Sequence, residues 1–98
     1  MARAVLILRE KITDGEGNLT EVVMWRVPVG PSYPHGVRYR LAWIPHGQER
    51  PAVLYDNHAP KGHHRHVGER EEGYDFRDAD GLRIDSMQDV ARLRKRRA

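Results

Sequence analysis

The 98-residue sequence contains no cysteine. Disulfides, zinc–thiolate sites and thiol nucleophiles are therefore excluded. No apolar run approaches the ~20 residues that a bilayer-spanning helix needs. The opening, MARAVLILREK, is too short and too soon charged for a secretory leader, so the expected location is the cytoplasm, with no membrane contact. Internal repeats and low-complexity linkers are also missing. The length is that of one ordinary domain, and we expect a single α+β domain over residues 1–98. Apolar residues are sparse, at 39% against 32% charged, with a mean hydropathy of −0.76. Such a core is thin, and a homodimer interface or a partner protein covering one face would extend it.

What the chain has in excess is positive charge. Lys+Arg is 17 against Asp+Glu 14, a formal net charge of +3 and a pI near 9.6. Fourteen of those 17 cations are arginine. Its planar, permanently charged fork suits phosphate and carboxylate, although a GC-rich genome also enriches arginine. Six histidines add positive charge as pH falls.

Apolar grouping predicts the elements. AVLILREKI (4–12) and LTEVVMWRVPV (19–29) flank DGEGN (14–18), a turn signal, and read as a hairpin. GPSYPHG (30–36) is a loop. In VRYRLAWI (37–44), Val37, Tyr39, Leu41 and Trp43 alternate with Arg38 and Arg40. After the turn PHGQER (45–50), PAVLYDN (51–57) is a short fourth strand, and HRHVG a candidate fifth. GYDF (73–76) leads into a helix from about Asp78 to Arg97, acidic at its start and basic at its end. Its apolar stripe is Leu82, Met87, Val90 and Leu93, with Ile84 less well placed; Gly81 weakens the first turn. The predicted fold is an antiparallel sheet of about four to six strands, an N-terminal hairpin and meander, with one C-terminal helix packed on it.

The stretch YDNHAPKGHHRH (55–66) holds four histidines, at positions 58, 63, 64 and 66. His58, His64 and His66 with Asp56 can ligate a metal by residue type. The spacing matches no strong zinc signature, however, and Lys61 and Arg65 repel a dication, so we expect no metal and no cofactor. Acid–base chemistry on RNA accommodates those cations better. It needs a base for the 2′-OH, an acid for the departing 5′-oxygen, and fixed positive charge at the phosphate. His64 and His66 share a face if a strand follows Gly62 and would be the acid–base pair. Lys61 and Arg65 would hold the phosphate, and Asp56 or Glu69 would orient a ring. His58 and Asn57 are secondary candidates and His63 a bystander. The alternative is a solvated loop, the reading preferred for His35 and His46.

Arg38 and Arg40, joined by Arg26, would form an arginine groove for an RNA backbone, unless they are an ordinary polar face. RLRKRR (92–97), including Arg94 and Arg96, is the densest basic run and can dock RNA or an acidic partner. Trp25, Tyr39 and Trp43 are assigned to the core.

Taken in order, VVMWRVP, YRLAW, YDN, KGHHRH, GY-F and a closing helix resemble the TumE-like proteins, small toxins of type II toxin–antitoxin pairs. The resemblance runs along nearly the whole chain. Asp56, Asn57, Lys61, Gly62, His64, Arg65 and His66 carry its most specific part; the position of His63 is commonly acidic or otherwise polar in that pattern. It implies a toxin neutralised by a cognate antitoxin and, by analogy, an RNA or translation target. Two functions follow for testing: a metal-independent ribonuclease, or a non-enzymatic module that binds RNA or protein through its arginines.

Overall fold

The computed structural model describes residues 3–97, the side chain of Arg97 excepted. Six strands, β1 (Val5–Thr13), β2 (Leu19–Arg26), β3 (Val37–Ile44), β4 (Val53–Asp56), β5 (His64–Val67) and β6 (Arg70–Gly73), precede one helix, α1 (Ala79–Arg97). All neighbours are antiparallel and the spatial order equals the chain order, β1-β2-β3-β4-β5-β6. Short links between sequential strands lead to this meander. The expected α+β architecture is therefore the observed one, at the six-strand end of the range.

Local chemistry explains the turns. In the β1–β2 link, Asp14 accepts backbone N–H groups from Glu16 and Asn18, both at 2.9 Å. Gly17 has φ +85°, and a Cβ there would stand 2.5 Å from His46 Nδ1. Only glycine fits such a position without displacing that ring. β1 carries an irregularity between Leu6 and Leu8, and β2 ends two residues before Pro28.

α1 covers one face of the sheet. Val22, Met24, Tyr39, Leu41, Trp43, Val53 and Tyr55 from β2–β4 meet Leu82 and Phe76 in the core. Trp25, assigned to the core from sequence, is outside it: it pairs with Arg38 and points to the opposite face, because β2 side chains alternate. At the helix start Asp78 caps, accepting the Gly81 N–H at 2.7 Å. A Cβ at Gly81 would come within 3.1 Å of that same carboxylate oxygen, so the glycine makes room for the cap.

The helix differs from its predicted stripe. Leu82 is buried and Val90 and Leu93 partly so, but Met87 is 64% exposed. The row facing the sheet is Leu82, Ser86, Asp89 and Leu93, spaced four, three and four apart. Two of these positions are polar. The Ser86 hydroxyl donates to the Arg83 carbonyl at 2.9 Å. Asp89, only 4% exposed, accepts the Tyr55 hydroxyl and, at 3.2 Å each, Arg65 and Arg92. Tyr74 and Arg77 similarly hold Asp85, at 2.5 and 3.1 Å. Arg83–Glu10 and Arg94 with Asp14 and Glu16 tie the exposed side of α1 to the long hairpin.

Removing Asp89 strands the buried Tyr55 hydroxyl and the partly buried Arg65 guanidinium, and a pair broken in this way costs more than the pair itself contributes. Asp89→Ala is predicted to lower unfolding free energy by roughly 3 kcal/mol in urea titration. A change within about 0.5 kcal/mol, typical of surface positions, would contradict the assigned role.

Candidate functional site

Strand alternation divides the residues of the histidine stretch between the two sides of the sheet. Asp56 pairs with His64 and Arg40, while Leu54 pairs with His66 and Ala42. On β6 the partners of His64 and His66 are Gly73 and Glu71. Residues paired across strands share a face. Arg40, Asp56 and His64 thus form one row across the face that α1 leaves open, and Ala42, Leu54, His66 and Glu71 form the next.

His64 and His66 come together on that face, with ring centroids 5.3 Å apart and planes at 77°. His64 Nδ1 lies 2.8 Å from the Gly62 carbonyl. A carbonyl only accepts, so Nδ1 carries a hydrogen, and in the neutral ring the lone pair is on Nε2. His66 Nδ1 faces Glu71 at 3.7 Å, and Lys61 forms an ion pair with the same carboxylate. The Lys61 hydrogen bond is the main reason the Glu71 carboxyl lies below its ordinary range. Glu71 was missed by sequence reasoning. Its signal was the two-residue turn at Gly68–Glu69: glycine-first turns of this kind define a hairpin, and the register then puts Glu71 opposite His66.

Arg65 is not part of this group. It projects to the helix side, where Nε donates to Glu72 at 3.0 Å and Nη1 to Tyr55 and Asp89 at 3.2 Å each. Asn57 is buried and bridges backbone groups, accepting the Tyr39 N–H and donating to the Val37 carbonyl, both at 2.8 Å. The His58 N–H donates to Asp56 at 2.6 Å. Glu69 is exposed in the β5–β6 turn.

Arg38 and Arg40 line an open-face cleft of about 430 Å³ with Trp25, Asp56 and His58. Arg26 does not join them; its β3 partner is Val37, so the register directs it to the other side. Arg94 is engaged with Asp14 and Glu16, and Arg96 is exposed on α1, away from the cleft. The side chain of Arg97, last of the basic run, lies outside the described residues.

His63 has a larger role than a bystander's. Its ring stacks on Phe76 at 5.0 Å and 7°, and its two nitrogens meet the Tyr39 hydroxyl at 2.8 Å and His35 Nδ1 at 3.2 Å. Burial raises the Tyr39 phenol above its ordinary value, which keeps it a donor. Burial, followed by the neighbouring His35, lowers His63 below 6.5. The unfolded chain then takes the proton more readily than the folded one, so stability is present above pH 6.5 and declines as pH falls below it. A melting temperature that drops between pH 7.5 and 5.5, and drops less in His63→Phe, is expected. Equal pH dependence in both proteins would refute this coupling.

A family model described as Toxin TumE matches residues 3–94 of the chain. No curated protein and no solved structure matches it. The matched segment includes every described strand and most of α1, together with the residues of the open face. The chain belongs to the Toxin TumE family.

Proposed function

We propose that this toxin cleaves RNA without a metal ion, with His64 and His66 as its acid–base pair. Membership of the family makes the chain a toxin component and implies a cognate antitoxin. The observation that carries the finer reading is the position of two histidines, 5.3 Å apart, on the sheet face free of the helix. His64 Nε2 takes the 2′-OH proton, the 2′-oxygen attacks phosphorus, and His66 protonates the departing 5′-oxygen. The products are a 2′,3′-cyclic phosphate and a 5′-hydroxyl. Lys61, beside the pair, supplies positive charge as the phosphate gains negative charge. The Gly62 carbonyl, which accepts from His64 Nδ1, orients the base; Asp56 lines the adjoining cleft, where Arg40 and Arg38 hold the neighbouring backbone. Arg65, among the sequence candidates, is given a structural part here because its guanidinium is committed to Asp89 and Glu72.

Purified protein is predicted to cut RNA in excess EDTA. His64→Ala and His66→Ala should each lose about 10²- to 10⁴-fold in rate while keeping wild-type melting behaviour. Full cleavage by either variant would sink the assignment.

A binding module is the second reading, favoured by the cleft between Trp25, Arg38 and Arg40, which suits a stacked base beside phosphates. On that account no RNA is cut, and Arg38→Ala and Arg40→Ala weaken salt-sensitive binding more than the histidine changes do. For assembly, the free edge of β1 supports a homodimer, since Val5, Leu6 and Ile7 are all partly exposed there. Light scattering should give twice the chain mass, and Leu6→Lys should reduce it to the monomer; a monomeric parent removes this reading.

A further inference from the structure

We propose that His64, His66 and Glu71 form a site for one borderline transition-metal dication, of which Zn²⁺ is the type. The inference that its occupation switches off RNA cleavage rests on the acid–base reading above. One nitrogen from each histidine and one Glu71 oxygen all lie within 4.8 Å of one another. Ligands around a tetrahedral zinc lie roughly 3.3 Å apart, given bond lengths near 2.0–2.1 Å. The remaining closure comes from His66, half-buried, and Glu71, exposed, whose side chains can approach once Lys61 leaves, while His64 is nearly buried.

Three features make this a metal site and not a chance group. The first is the tautomer: Nδ1 of His64 is held by the Gly62 carbonyl, the outer-sphere contact typical of ligating histidines, which presents Nε2 as the donor. The second is the ligand set, two imidazoles and one carboxylate, which leaves positions open for water and suits zinc and its first-row neighbours better than magnesium. The third concerns charge. In sequence, Lys61 and Arg65 stand among the histidines and oppose a dication. In the fold, Arg65 is on the other side of the sheet with Asp89, so that objection disappears. Lys61 remains, and its ammonium already occupies Glu71 as a resident cation. A metal must displace it, and the exposed lysine can swing into solvent.

The regulatory consequence is direct. A metal on His64 Nε2 uses the lone pair that would take the 2′-OH proton, so the metal-bound form lacks its base. Zinc then acts as an inhibitor at the same residues, not as a cofactor.

Isothermal titration calorimetry of the full chain with ZnCl₂ tests the site. One equivalent per chain is expected, weakened more than about tenfold in His64→Gln, His66→Ala and Glu71→Gln. His35→Ala should leave it unchanged, and Lys61→Ala should tighten it about twofold to fivefold by removing the competing charge. MgCl₂ should give no comparable heat. No saturable zinc uptake, or uptake indifferent to all three ligand changes, overturns the site. In RNA assays one equivalent of zinc should stop cleavage and EDTA restore it; acceleration by zinc overturns the inhibitory role. Absence of cleavage in EDTA overturns the ribonuclease reading instead, and calorimetry still decides the metal site.

Discussion

The buried carboxylate of Asp89 is the constraint on which the arrangement of both faces rests. It sits in the middle of α1, against β4 and β5, and accepts from the Tyr55 hydroxyl, Arg65 and Arg92. A carboxylate out of water is tolerated only when its oxygens are satisfied and its charge compensated. Arg65 meets both needs and is itself steadied by Glu72. Burial, then the hydrogen bond to Asp89, pushes the Tyr55 phenol above its ordinary range, so it serves as a constant donor. This contact fixes the helix across the sheet with a directionality that the thin apolar core does not provide.

Fixing Arg65 on the helix side also decides what β5 offers on the other. Side chains alternate along a strand, so an arginine committed to the helix leaves its neighbours His64 and His66 facing away from it. β5 therefore joins fold and chemistry: its odd position holds the helix and its even positions form the candidate site. The hairpin to β6 then brings Glu71 opposite His66, and Glu71 holds Lys61 beside both rings. The cluster is small, polar and charge-balanced, next to an arginine-lined cleft on an otherwise open surface.

Much of this was legible in the sequence where periodicity and chemistry agreed. Val37 to Ile44 alternate cleanly, DGEGN is a strong turn, and the acidic-to-basic gradient marks a helix, so hairpin, meander and closing helix could be read directly. His64 and His66 followed from period-two spacing. The same spacing excluded Arg65 from their face, a consequence hidden by its attraction as a phosphate ligand; only the position of Asp89 gives that arginine its partner. The helix stripe misled for a related reason. Ser86 and Asp89 occupy the inward row, while Met87 and Ile84 are turned outward, so apolarity alone points to the wrong side. Glu71 and the His35–His63–Tyr39 network depend on contacts between distant segments, which local patterns do not encode.

We assign separate work to the two sides of β5, toxicity to one and folding to the other. Growth arrest on induced expression in bacterial cells, followed together with the melting temperature of each purified variant, separates the two. The paired change His64→Ala, His66→Ala should abolish arrest with little loss of melting temperature, whereas Arg65→Ala should lower the melting temperature first. Continued arrest by the histidine variant at normal expression, or an Arg65→Ala protein that is fully stable yet inactive, overturns this division.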